Sequence, residues 1–297
     1  MASYAVGVDI GGTHACSAVV DLSGGRLLQE TFTTTDILAS APAGDIAAAW
    51  AENISSAIDK AGDKRIEGVG FAMPGPFDYP RGISRIAGVS KFSAIFGLDV
   101  KHTLLQWLDG YDIPDMRFIN DAGAFALGEA SAGSGKGVGR LFVATLGTGF
   151  GSAFVVDGEV VSEGEGVPHD GCVYYFPFRG KMADDMFSTR WFTGRYEELT
   201  GSKAQGVKEV ADAVGTVGAA SAVFEEYGSN MGEFLAPILI DFGAESIVFG
   251  GNIAKAYDHF GPYLRDGLAG RGVDIPVHIS GMMNRGAIIG AANLFNV

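Results

Sequence analysis

The 297-residue chain has only two cysteines, Cys16 and Cys172, far apart and in neither CxxC nor metal-ligand spacing. This excludes a disulfide framework and a cysteine-rich zinc site, and it suits a reducing compartment. Long apolar runs are missing too, since none approaches the roughly 18 residues that suggest a membrane span. The opening "MASYAVGVD" has no basic n-region or cleavage site, so the expectation is a cytoplasmic protein with no membrane partner. Positive charge is also scarce: 21 Lys and Arg stand against 35 Asp and Glu, for a net charge of −14. Such a surface repels phosphate backbones and anionic lipids, so the expected partner is a small molecule and not a nucleic acid.

Glycine is plentiful, and its 45 residues gather at the ends of apolar runs without a short period. That is the placement of turns and phosphate loops. The 47% apolar composition can fill one large core or two modest ones, and two packed α/β lobes are expected. Apolar patterning predicts strands near residues 4–8, 15–20 and 27–33, a helix over 46–61, and a strand over 66–72. The second half repeats the theme, with strands over 140–145 and 152–156 around a 147–151 turn, then a hairpin at "VDGEVV". "VDIGGTHACSAVVD" and "VATLGTGFGSAFVVD" therefore read as two copies of one strand, Gly/Thr turn, strand device.

One such turn alone would only shape a hairpin. Two of them, with Thr in both and Asp9 in one, suit phosphate better. Gly lets backbone N–H groups approach phosphate oxygens, Thr adds a hydroxyl, and a strand-end Asp can hold a hydrated cation. Neither a Walker loop nor a GxGxxG leading into a helix is present.

"DIGGT", "GFAMPGPFDYPRGI" (70–83), "INDAGAFALGE" (119–129), "TLGTGFGSAFVVDG" (145–158) and "IVFGGNI" (247–253) follow in one order. In that order they resemble the ROK-type sugar kinases and bacterial glucokinases of the actin-like, hexokinase-like ATPase superfamily. The resemblance covers nearly the whole chain. It implies an α/β fold of two RNase H-like lobes around a central cleft, with residues 1–119 and a C-terminal helix near 284–297 in one lobe and 120–283 in the other. It also implies a hexose substrate phosphorylated on its primary hydroxyl, ATP and Mg²⁺ as cofactors, no zinc, and a homodimer.

The resemblance assigns roles residue by residue. Asp121 is the implied general base and the preceding Asn120 a sugar ligand, although an Asn-Asp at a strand-to-helix corner is by itself more often a cap. Asp9 is implied to hold Mg²⁺ through water, and Gly11, Gly12, Thr13, Thr148, Gly149, Gly250, Gly251 and Asn252 to bind the nucleotide. As plain local structure, Gly250 would only allow a βα bend and Asn252 cap the next helix.

The 162–192 segment departs from the family. Glu165 and His169 occupy the place of its sugar-binding Glu-x-Gly-His pair but stand four apart, and the zinc cysteines are missing. Asp184 falls where the family's second sugar-binding glutamate would be, with Asp185 as rival; alternatively "ADD" caps the following helix and His169 is an ordinary surface residue. Tyr174, Tyr175, Phe176 and Phe178 could wall a sugar site or belong to a core. Two other functions stay open: a non-catalytic sugar sensor, and a kinase of another small substrate such as an N-acetylated hexosamine. The family's repressors carry an N-terminal helix-turn-helix, whereas a strand is expected here by about residue 4.

Overall fold

A computed structural model describes residues 3–87, 91–282 and 285–296. The chain divides into two compact units, Met1–Lys136 with Asn284–Val297, and Gly137–Met283.

In the first unit, β1 (Tyr4–Ile10) and β2 (His14–Asp21) form an antiparallel hairpin, and β3 (Arg26–Leu27) and β4 (Thr33–Asp36) both pair with β2. The strand expected over 27–33 is therefore broken by a 3₁₀ turn at Gln29–Thr31. The Thr31 hydroxyl causes the jog: it accepts from Val19 N at 2.8 Å and donates to Leu28 O at 2.7 Å, replacing a ladder bond. Helix α1 (Ala43–Ala61) crosses over to β5 (Ile66–Met73), parallel to β1. A small hairpin, β6 (Phe77–Asp78) and β7 (Ile83–Ser84), and helix α2 (Val100–Trp107) precede β8 (Met116–Asn120), parallel to β5, and helix α3 (Asp121–Ala132).

Strand side chains alternate between faces. Val6, Val8, Val69 and Phe71 pack in one core with Ile46, Trp50 and Ile54 of α1. Gly7 and Gly70, on the other face, receive the C-terminal helix Arg285–Ala292: a Cβ at either would coincide with the carbonyl oxygen of Ile288 or Ala291. The same helix meets α3, where Gly128 abuts the Gly286 backbone and Gly290 abuts the Ala124 carbonyl. This backbone-to-backbone packing keeps α3 in the first unit. The unit boundary thus lies between Lys136 and Gly137, not after residue 119; the expected second boundary at 283/284 lies outside the described residues.

The second unit repeats the topology. β9 (Arg140–Leu146) and β10 (Phe150–Val156) form the hairpin, extended by β11 (Glu159–Val161). A short hairpin, β12 (Pro177–Phe178) and β13 (Lys181–Met182), leads to α4 (Ala183–Met186), α5 (Thr189–Thr200), α6 (Val207–Asp212) and the long α7 (Gly218–Phe242). Then β14 (Ser246–Gly250) pairs parallel with β9, and after α8 (Tyr257–Ala269) β15 (Val277–Ile279) pairs parallel with β14. The two main sheets run β3-β2-β1-β5-β8 and β11-β10-β9-β14-β15. Each of these paths has three antiparallel strands followed by two parallel ones, the RNase H-like order, and β4 adds a sixth strand to the first sheet on β2. Close passage of α7 and α8 needs glycine, since a Cβ on Gly228 or Gly232 would strike the Phe260 or Leu264 carbonyl. Among the described residues, no helix is long and apolar enough to cross a membrane.

Candidate active site

In the first unit the candidate residues lie at the C-terminal ends of β1 and β8, the usual place for ligands in open α/β sheets. Asp9 is half-buried and pairs in register with Cys16 of β2 and Ala72 of β5. No other described residue donates a hydrogen bond to its carboxylate. Burial, with the negative charge of Asp121 adding to it, pushes the Asp9 pKa up to about 7. An unpartnered carboxylate of this kind is costly unless a cation or a proton joins it.

Beyond Asp9 comes the first Gly/Thr turn. Gly11 N–H donates to His14 O at 2.9 Å, and the exposed Thr13 hydroxyl lies 3.0 Å from His14 Nδ1. The Gly12 and Thr13 N–H groups find no acceptor among the described residues.

Asn120 is the N-cap of α3, its Oδ1 accepting from Ala122 N at 3.0 Å. Its Nδ2 donates to the Tyr79 hydroxyl at 3.2 Å, which in turn donates to Met73 O at 3.2 Å. One side chain thus both caps α3 and reaches Tyr79. Asp121 takes the first helical position, accepts from Ala122 N at 2.9 Å, and remains open to water. Protein surrounds the carboxylate otherwise, and that burial raises its pKa against the lowering pull of the Ala122 and Asn120 donors. Two carboxylates held near enough to interact, both shifted upward, mark a functional site more often than a scaffold.

In the second unit the other Gly/Thr turn, Gly147–Gly149, is braced from α4 and α5. Gly147 O accepts from both Thr189 N (2.8 Å) and Thr189 Oγ1 (2.9 Å), and Thr148 O accepts from Arg190 Nη1 at 3.1 Å. Asp184 Oδ1 accepts from Phe150 N at 2.7 Å, and a Cβ on Gly149 would sit 2.9 Å from that oxygen. Its Oδ2 accepts from Arg190 Nη2 at 2.7 Å. Both Asp184 oxygens are thus engaged in holding the turn, a job different from the sugar contact expected of it. Asp185 also reaches Arg190, at 3.4 Å. The "ADD" run starts its own short helix, and Ser188 takes the N-cap position of α5 without a side-chain cap hydrogen bond.

Gly250 pairs with Thr145 of β9, and Gly251, at φ +85°, passes so close to Leu146 that any side chain would strike its backbone. A 3₁₀ turn, Ile253–Ala256, intervenes before α8. Asn252 does not cap it through its side chain; its Oδ1 accepts from Lys255 Nζ at 2.8 Å.

Glu165 and His169 are exposed and are not gathered into a cluster. Arg140 Nη2 donates to the Glu165 backbone oxygen at 3.0 Å, and His169 Nδ1 lies 2.9 Å from Asp170. Of the aromatic run, Tyr174 and Tyr175 are exposed while Phe176 and Phe178 pack against the core. Sequence reasoning did not single out Tyr79, although it lies in the quoted "PGPFDYP", nor Arg190, whose only local signal is its position six after Asp184.

The chain belongs to the ROK family, whose model matches residues 5–297. A glucokinase of Thermotoga maritima is 31% identical over 162 residues, covering 54% of this chain and 47% of that protein. A polyphosphate glucokinase of Mycobacterium tuberculosis is 29% identical over 169 residues, covering 54% of this chain and 57% of its own length. The chain thus spans about half the length of the curated relatives it matches. Among solved structures, a ROK family glucokinase from Streptomyces griseus in complex with glucose and AMPPNP shares the fold. Its TM-score is 0.74 at 21% identity, with 98% of this chain and 99% of that one covered.

Proposed function

We propose that the protein is a kinase transferring the γ-phosphoryl group of ATP to the primary hydroxyl of a hexose. The observation that carries this reading is Asp121, water-accessible at the start of α3, with its pKa raised by burial and with Asp9 close enough to feel its charge. A raised pKa makes a carboxylate a better proton acceptor near neutral pH. In the proposed step the hexose hydroxyl oxygen bonds to phosphorus as its proton passes to Asp121, and the bond to the ADP oxygen breaks. General-base assistance contributes about 10²- to 10⁴-fold; positioning and charge stabilisation supply the rest.

Gly11, Gly12 and Thr13 on one hairpin, and Thr148 and Gly149 on the other, are assigned to the nucleotide phosphates. Gly250, Gly251 and Asn252 are assigned to the adenosine. Asn120, with Tyr79 behind it, is assigned to the sugar, together with Glu165 and His169. The residues present fit Mg²⁺. Asp9 is a hard oxygen ligand to which no described residue donates, and no group of three metal-binding side chains gathers among the described residues. Asp9 would hold Mg²⁺, a hard cation that takes oxygen ligands, through water beside the phosphates. When bound, Mg²⁺ supplies charge neutralisation at the phosphates. Water is a rival acceptor, so slow ATP hydrolysis without sugar is expected.

The test is ADP release from purified protein with Mg²⁺-ATP across hexoses and hexosamines, with Asp121→Ala as control. Sugar-dependent release lost in the variant supports the proposal. Sugar binding without ADP release from any sugar would replace it with the sensor reading.

A further inference from the structure

Gly12 lies outside the left-handed region, and the side chain of Lys91 lies directly over it. A Cβ at Gly12 would lie 2.5 Å from Lys91 Nζ and 2.8 Å from both Cδ and Cε. The lysine therefore lays its stem and ammonium across the first Gly/Thr turn. It is exposed and, among the described residues, has no ion-pair or hydrogen-bond partner, although the chain carries 35 carboxylates.

The backbone under Lys91 is pinned. Phe92 is 1% exposed, stands in the left-handed region at φ 59°, stacks obliquely on Trp50 at 5.7 Å, and donates its N–H to Ala39 O at 2.8 Å. Ile37 N–H, two residues before Ala39, donates to Thr13 O at 2.8 Å. The 37–39 segment thus ties the turn to the anchor of the lysine. The left-handed backbone at buried Phe92 fixes the point from which the Lys91 side chain leaves.

Resting on the kinase reading, we infer that Lys91 is a phosphate-binding residue of the donor site. Its ammonium and the N–H groups of Gly12 and Thr13, which have no acceptor among the described residues, form one anion site for the terminal phosphate of a condensed phosphate chain. That chain could belong to a nucleoside triphosphate or to inorganic polyphosphate. A mobile ammonium acts as a point charge and follows a phosphate through transfer, whereas N–H groups fix its oxygens. Asp9, in β1 just before that turn, would hold the divalent ion that accompanies the phosphate.

The experiment compares wild type, Lys91→Met, Lys91→Arg and Gly12→Ala, all as the full chain. It measures calorimetric binding of inorganic tripolyphosphate with Mg²⁺, and KM for ATP, for long-chain polyphosphate and for sugar. Circular dichroism melts verify folding. Lys91→Met, which keeps the stem, should weaken tripolyphosphate at least ten-fold and raise donor KM equally, with sugar KM within two-fold; Lys91→Arg should recover most of the loss. Gly12→Ala, which displaces the lysine, should behave as Lys91→Met. A larger loss with polyphosphate than with ATP would assign the site to the inorganic chain, and the reverse to the nucleotide. Unchanged tripolyphosphate binding in folded Lys91→Met, or a change in sugar KM alone, overturns the inference while leaving the kinase reading standing. Lys91-dependent tripolyphosphate binding with no phosphorylation of any sugar would keep this anion site and remove the kinase.

Discussion

Asp9 ties stability to function in a way that one substitution separates. Its carboxyl pKa moves from 3.8 to about 7 on folding, so the folded protein holds that proton more tightly than the unfolded chain. The sign follows: the stability is fully present below about pH 4 and is lost as pH rises toward 7, above which the penalty is constant. At about 1.4 kcal/mol per pKa unit the penalty would be about 4 kcal/mol, and partial contact with water reduces it to about 2 kcal/mol. Asp9→Asn keeps the shape and removes the ionisation. The variant should be more stable than wild type by about 2 kcal/mol at pH 8, a Tm gain of roughly 4–8 °C for a unit of this size, and nearly equal to it at pH 4. Thermal and urea unfolding at pH 4, 6 and 8 measure this. Adding Mg²⁺ with a nonhydrolysable ATP analogue at pH 8 should stabilise wild type strongly and the variant little, while the variant loses turnover. A variant no more stable than wild type at pH 8, or with the same pH slope, would refute the reasoning, because Asp9 would then be ionised without cost.

Asp121→Ala should lower kcat by about 10²- to 10⁴-fold with the fold and sugar affinity kept, as read by steady-state kinetics and calorimetry. Asp184→Asn tests the brace against a sugar contact: loosening of the Gly147–Gly149 turn should raise donor KM and leave sugar KM unchanged, whereas a sugar ligand would give the opposite split. Gly70→Ala, placing a methyl group on the Ala291 carbonyl, should cost about 2 kcal/mol or more in urea unfolding by forcing the C-terminal helix off the sheet. Asn120→Ala should cost about 1 kcal/mol through the lost cap of α3, and Tyr79→Phe should raise sugar KM with little change in stability.

Local pattern alone determined much of this protein. Alternating apolar residues with Gly/Thr between them specify both hairpins, because strand period and turn chemistry act within a dozen residues. The same short range puts Asp9 at a strand end and Asn120-Asp121 at a helix start. α7 is hard to read from the sequence because glycines and Pro237 interrupt its apolar spacing, which burial against α8 explains. The jog at Gln29–Thr31 depended on one hydroxyl reaching Val19 across the sheet. Tertiary structure alone decided that Lys91 covers Gly12, that Tyr79 meets Asn120, that Asp184 braces the Phe150 turn, and that α3 stays with the first unit under the C-terminal helix. Each is a contact between distant segments brought together by parallel pairing or by glycine-permitted backbone approach, and a single side chain at such a contact leaves no period in the sequence.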